Sequence, residues 1–276
     1  WYGALPAYSV SALEGIKAAV EDEDVEVRFQ AWDSDGKAQE LAAWADVAIV
    51  CVGNHPMTSP DWKWEKIQAP WGEGTVAGDG REAVDRRSLE LESEDLIKMV
   101  WKANPNTIVA LISSFPYTID WTQEHVPSIL HVSQCSQELG NALADVIFGD
   151  YNPAGRTTQT WVKDIPGMLD YDIRNGRTYM YFKGDPLYPF GYGLSYTSFE
   201  YSRLKVRCQK DSVRLSFDLS NTGGRDGEEV VQLYVRFPGD DAAMRLRGFE
   251  RVPVSEGETV RVDLVVPFED LKLWDT

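Results

Sequence analysis

Between Gly78 and Ser93 the chain reads GDGREAVDRRSLELES, and Glu82, Asp85 and Arg86 fall within five residues of one another. That trio suits proton chemistry, because one carboxylate can pair with the guanidinium while the other keeps a proton. The same residues also fit a solvated charged loop, since charge clusters are common on protein surfaces. Upstream, Gly53-Asn-His55-Pro56 sets an imidazole near the end of an apolar run, and Trp62, Trp64 and Trp71 crowd the stretch that follows. Gly72 to Gly80 is rich in glycine, but it lacks the lysine of a phosphate-binding loop and opens no immediate helix, so nucleotide binding is not expected. Cys51, Cys135 and Cys208 have no metal-like spacing and read as buried thiols. Neither a metal nor another cofactor is expected.

The elements around the charged loop give it a place. Asp46 to Val52, DVAIVCV, is too apolar for an edge strand and predicts a strand buried on both faces. After the loop, Ser93 is positioned to cap a helix whose Leu96, Ile97, Val100 and Trp101 share one side. The loop therefore leaves the end of a central strand, where ligands sit in open α/β sheets.

Earlier in the chain, Ala12 to Val20 carries Leu13, Ile16 and Val20 at helical spacing behind Ser11. Val25 to Phe29 alternates as a strand, and Ala38 to Trp44 reads as a helix. Strands at Thr107 to Ile112 and Ser128 to Val132 follow, then a helix from Gln137 to Phe148 with Gly149 as its left-handed terminator. Alternation of this kind predicts an α/β fold with a mostly parallel sheet sandwiched by helices.

From Asp150 to Thr197 periodicity fails while Pro, Gly and aromatic residues accumulate, as in a long connector lying across a domain surface. Beyond Phe199 the pattern becomes alternating strands at Tyr201 to Arg207, Val213 to Ser220, Glu229 to Arg236, Arg247 to Val252 and Thr259 to Val265. Asn221-Thr-Gly-Gly-Arg-Asp-Gly227 is a strong turn cluster between two of them. The expected division is an α/β domain over 1–155, a connector over 156–198 and a β-sandwich over 199–276.

At 276 residues and 43% hydrophobic content the chain can build real cores. Its net charge of −17 argues against nucleic acid or an anionic membrane as partner, because both would repel it. No apolar run of about 18 residues is present to span a bilayer, and the first residues lack a signal-peptide pattern.

Several long motifs resemble glycoside hydrolase family 3. Glu82-Ala-Val-Asp85-Arg86 followed by Leu89 and Leu91 is similar to that family's acid/base loop, where a Glu stands three residues before an Asp-Arg pair. The run from Gly140 through Asp145 and Gly149 to Asn152-Pro153-Ala-Gly155-Arg156 resembles its helix and exit loop. Arg177-Thr-Tyr-Met-Tyr-Phe182 and Tyr188-Pro-Phe-Gly-Tyr-Gly-Leu-Ser-Tyr-Thr197 resemble the segment leading into its last domain, a fibronectin type III-like module.

The resemblance implies the C-terminal portion of a retaining, exo-acting β-glycosidase, a β-glucosidase or β-xylosidase. Its substrate would be a β-linked oligosaccharide or glycoside. It also implies a (β/α)8 barrel, on this or another chain, that carries the nucleophilic Asp and does not fit in these residues. The last strands of the module would lie beyond Thr276. Glu82 is the expected general acid/base, with Glu73 as its rival, because Gly72-Glu73-Gly74 resembles the acid/base context of another branch of the family. A third branch places the group shortly after a Gly-x-His-Pro stretch, where this chain has Ser59. Trp71 offers an indole face for a pyranose ring, and His55 a donor for a sugar hydroxyl. Arg156 and Asp150 are expected to fix the exit loop. The implied location is extracellular or periplasmic. A non-catalytic carbohydrate-binding or assembly module derived from such an enzyme is the alternative.

Overall fold

The computed structural model describes residues 7–31, 36–53, 89–133, 137–163 and 172–273. The chain divides into two compact units, Trp1–Phe148 with Trp161–Met168, and Gly149–Thr160 with Leu169–Thr276.

The first unit is built on three parallel strands, β1 (Ala48–Gly53), β2 (Thr107–Ile112) and β3 (Ser128–Val132), in the order β1-β2-β3. Val109, Ala110 and Leu111 of β2 are buried in succession, as a central strand covered on both faces requires. β1 departs from the expectation of burial on both faces. Ala48, Val50 and Val52 are buried, whereas Cys51 is exposed and Val47 just before the strand is 45% exposed. Among the described strands β1 lies at an edge, so only its alternate residues enter the core. Cys51 and Cys208 are exposed rather than buried thiols, and Cys135 lies outside the described residues.

Five helices accompany the sheet: α1 (Ala12–Ala19), α2 (Lys37–Trp44), α3 (Glu94–Ala103), α4 (Asp120–His125) and α5 (Leu139–Phe148). Ser11 caps α1 through a reciprocal capping box with Glu14, which satisfies two orphan amides at once. α1 and α5 approach so closely that a β-carbon on Gly15 would lie 2.1 Å from the Gly140 carbonyl oxygen. α3 buries Ile97 and Val100, as its periodicity predicts. The Ser93 hydroxyl makes no cap bond, and Glu94 and Asp95 instead complement the helix dipole from the first turn. α5 ends at Gly149, whose φ of 86° fits the left-handed stop.

Val25 to Phe29 does not form a strand. The segment has no sheet partner among the described residues, and Val25 and Phe29 are 53% and 61% exposed. Alternation creates a strand only where a neighbouring strand takes up the backbone donors and acceptors.

The second unit carries a short helix, α6 (Thr178–Tyr181), and five antiparallel strands. β4 (Phe199–Cys208), β5 (Ser212–Asn221) and β8 (Thr259–Pro267) form one sheet in the order β4-β5-β8, and β6 (Gly227–Val235) pairs with β7 (Arg245–Val254) in another. Phe217, Leu219 and Val262 from the first sheet pack with Val231 and Val254 from the second, which makes the pair a sandwich. Asn221 ends β5 as a buried hub. Its amide nitrogen donates to the carbonyls of Arg225 and Val254, and its oxygen accepts from Thr197 Oγ1 and the Gly223 amide. Those bonds set the turn that carries the chain from one sheet to the other.

Candidate functional site

Gly53, the last residue of β1, stands at the carboxyl edge of the parallel sheet, paired in register with Ile112. Residues 54–88 lie outside the described residues, and with them Glu82, Glu73, His55 and Trp71, together with Asp85, Arg86, Trp62 and Trp64. The described chain resumes at Leu89, whose carbonyl accepts from the Thr118 amide at 2.8 Å. Glu90 forms a parallel bridge to Thr118, and Leu91 is buried. Residues 113–119 are the loop that follows β2, so both flanks of the segment 54–88 border the carboxyl edge of the sheet. In an open α/β sheet that edge is where ligands bind.

The loop after β2 is braced by side chains that belong to no sequence motif. Ser113, fully buried at the end of β2, donates its hydroxyl proton to the Phe115 carbonyl at 3.0 Å. Its oxygen is also 3.0 Å from His131 Nε2, on the neighbouring strand β3. With the hydroxyl proton committed to Phe115, the imidazole is the donor, which fixes the Nε2–H tautomer. A serine held this way points its proton away from the imidazole, so the pair braces two strand ends and does not form a nucleophile with its base. His131 keeps an exposed edge, yet its ring meets Trp161 edge-on at 5.0 Å. Desolvation holds its pKa below the ordinary histidine value, partly opposed by a hydrogen bond with the Ser113 backbone. A histidine inside a strand beside a serine that ends the next one was the available signal, and it becomes visible only once the parallel register is known.

α4 is tied to α3 by Glu94, whose Oε1 accepts from Thr122 Oγ1 at 2.9 Å and whose Oε2 pairs with Lys98 at 3.1 Å. Trp121 stacks on His125 and meets Trp101 edge-on. Asn104 closes the other end of α3, donating to the carbonyls of Ala42 and Ala45 and thereby serving the C-terminus of α2. These contacts fix α2, α3 and α4 to one another without contributing a reactive pair.

Arg156 holds the exit loop as expected, and it does so inside the second unit. Arg156 pairs with Glu229 of β6 at 2.8 Å, and Tyr201 reaches the other oxygen of that carboxylate at 3.1 Å. Thr157 exchanges backbone bonds with Gly191 and Tyr192, while Asn152 accepts from Ser195 and Tyr196 and donates to the Asp226 carbonyl. Two open depressions, of about 590 and 470 Å³, lie on this unit, one along Leu246 to Phe249 with Asp270 and Lys272, the other along Arg236 to Ala243. Asp240 in the second is already engaged by Arg245 at 2.7 Å, which holds its carboxyl below the usual range. Among the described residues no group of three or more His, Cys, Asp or Glu side chains could hold a metal ion.

The fold and its flanked segment define a two-unit protein, an α/β unit with its candidate site at the carboxyl edge of a parallel sheet and a β-sandwich unit. Residues 1–196 match the Glycosyl hydrolase family 3 C-terminal domain, and residues 229–276 match the Fibronectin type III-like domain. The chain belongs to glycosyl hydrolase family 3. It is 37% identical, over 91% of its length, to a xylan 1,4-beta-xylosidase from Xylanibacter ruminicola, of which it covers 31%. It is 31% identical, over 99% of its length, to a beta-xylosidase from Formosa agariphila, of which it covers 38%. The structure matches that of the beta-D-glucoside glucohydrolase from Trichoderma reesei with a TM-score of 0.82 at 27% identity, covering 98% of this chain and 41% of that one. The chain thus spans about a third of the length of the curated relatives it matches.

Proposed function

We propose that this chain is the C-terminal portion of a retaining, exo-acting β-glycosidase, a β-xylosidase or β-glucosidase, and supplies the general acid/base. The observation that carries the reading is the family match over residues 1–196, whose relatives are named for these two activities. The flanks of residues 54–88 support it, because they set the start and return of that segment at the carboxyl edge of the sheet. A retaining enzyme needs a nucleophilic carboxylate and a second carboxyl group about 5 to 5.5 Å away, which first donates a proton and later accepts one. Glu82 takes the second role. It protonates the glycosidic oxygen as the sugar transfers to the nucleophile, then removes a proton from the water that releases it. Glu73 is the rival for the same position. The nucleophilic Asp belongs to a (β/α)8 barrel, as a further domain or a companion chain outside these residues, and a β-linked glycan is the substrate.

The test uses the longer enzyme, with barrel. Hydrolysis of aryl and alkyl β-xylosides and β-glucosides is compared before and after replacement of the barrel's candidate nucleophilic Asp. Retention of anomeric configuration and loss of turnover in the variant support the reading. Inversion, or full activity without that Asp, overturns it.

A further inference from the structure

The outer face of the sheet β4-β5-β8 carries an excess of positive charge that the composition of the chain does not lead one to expect. Across the sheet the rows run Lys205–Ser216–Asp263, Arg207–Arg214–Val265 and Ser202–Asp218–Arg261, each β4 residue facing its β5 partner and that partner facing β8. Phe217, Leu219, Val262 and Val266 point the other way into the core, so these polar residues share the solvent face. Five cationic side chains, Arg203, Lys205, Arg207, Arg214 and Arg261, stand there against Asp218, Asp263 and, at the far end, Glu200. The whole chain has 44 acidic residues against 27 basic ones, so this local surplus is the reverse of the global balance.

Two features show that the arrangement carries a local cost. Arg207 lies directly across from Arg214, a like-charge pairing that destabilises a ladder. Arg203 adopts a φ of 54° in the irregularity between Ser202 and Lys205, a left-handed conformation that a non-glycine residue rarely takes. The carboxylates present are already engaged. Asp218 is shared by Arg261 at 2.6 Å and Arg203 at 3.1 Å, and Asp263 meets Arg214 at 3.7 Å. Among the described residues Lys205 and Arg207 have no ion-pair partner, and both are exposed.

We propose that this face binds a polyuronate, a glycan whose sugar rings carry carboxylates. Guanidinium groups take carboxylates as bidentate forks, and strands about 4.8 Å apart, with same-face residues about 7 Å apart along each, present those forks in rows that an extended polymer can follow. Val265, half exposed beside Arg214, offers apolar surface to sugar C–H groups. No aromatic side chain stands in these rows to stack a base, so a nucleic acid fits less well. The choice of a glycan among polyanions rests on the proposed glycosidase function.

The experiment is native affinity electrophoresis of the longer enzyme, with its barrel, in gels containing de-esterified polygalacturonate. Parallel gels contain fully methyl-esterified pectin, neutral xylan or sheared DNA, and mobility is expressed relative to a polymer-free gel. The expected result is retardation by polygalacturonate alone, abolished by about 0.5 M salt through screening. Lys205→Glu/Arg207→Glu should weaken retardation roughly tenfold or more while leaving circular dichroism and aryl-glycosidase activity unchanged. Lys205→Gln/Arg207→Gln gives an intermediate, fold-neutral check. No retardation, equal retardation by the esterified or neutral polymer, stronger retardation by DNA, or undiminished retardation of the glutamate variant each overturns the proposal. Concentration-dependent self-association lost in the same variant would assign the face to a second copy and also overturn it. Failure of glycosidase activity with retardation intact would count against the proposed function and not against this face.

Discussion

A β-carbon on Gly53 would fall 1.8 Å from the carbonyl oxygen of Ile112, its register partner on the central strand. Gly53 also has a φ of 149°, which side-chain-bearing residues rarely adopt. The last residue of β1 is thus glycine because two backbones touch there. Gly53→Ala should lower stability by about 2 kcal/mol or more, combining strain with displacement of the adjoining strand end. Equilibrium denaturation checks this, and an unchanged midpoint would contradict the close approach.

Asn221 satisfies two carbonyls and accepts two further bonds while only 2% exposed. Asn221→Ala strands these partners, the buried Val254 carbonyl among them, and should cost about 2–3 kcal/mol. Asn221→Asp keeps the acceptor but removes both donors, so it should not rescue. A shift in midpoint no larger than that of an exposed control such as Thr222→Ala would sink this account of the turn.

Asp240 has its pKa lowered, first by its hydrogen bond from Arg245 and then by the Ala242 amide. A carboxylate with a depressed folded pKa stabilises the fold above its ordinary value of 3.8, and the contribution disappears as pH falls through the folded value. Asp240→Asn should therefore be less stable than the parent at neutral pH, with the gap closing in strong acid. Melting curves across pH 2 to 7 read this directly, as an order-of-magnitude window set by ordinary carboxylate values. A gap independent of pH would refute it.

His131 titrates with the same sign for a different reason. Burial lowers its folded pKa, so the fold holds it neutral, while the unfolded chain protonates near the ordinary value of 6.5. Its contribution is present above that value and is lost as pH falls through the folded one. His131→Gln, which keeps a donor for Ser113, should flatten the stability profile between neutral and mildly acid pH. An unaltered slope would show that His131 does not titrate as placed.

The strands of the second unit were readable because each obeys a period of two between turn residues with definite roles, as Asn221 and Gly227 illustrate. The helices at Ser11 and after Ser93 were readable from periodicity, although only Ser11 forms its cap bond. Val25 to Phe29 misled because alternation reports a two-faced segment and not the partner it must pair with. DVAIVCV misled similarly: its apolar run leaves Cys51 and Val47 exposed on a strand that is at the edge among the described strands, since sheet order is set by register and not by composition. The Ser113–His131 brace joins residues eighteen apart in sequence, which only the parallel pairing of β2 and β3 brings together. Glu82, Glu73, His55 and Trp71 fall in the segment outside the described residues, so their roles stand on motif and on the flanks that bound it.

The most direct test is the leaving-group dependence of Glu82→Gln in the longer enzyme, with Glu73→Gln alongside it. Loss of the general acid should lower hydrolysis of alkyl or sugar leaving groups by roughly a hundred- to ten-thousand-fold. Glycosylation by activated aryl glycosides should suffer far less. The same variant loses the base of the second step, so the glycosyl-enzyme should accumulate and azide should restore turnover. The account predicts this pattern for Glu82→Gln and near-parental behaviour for Glu73→Gln; the reverse assignment, with azide rescuing only Glu73→Gln, would contradict it.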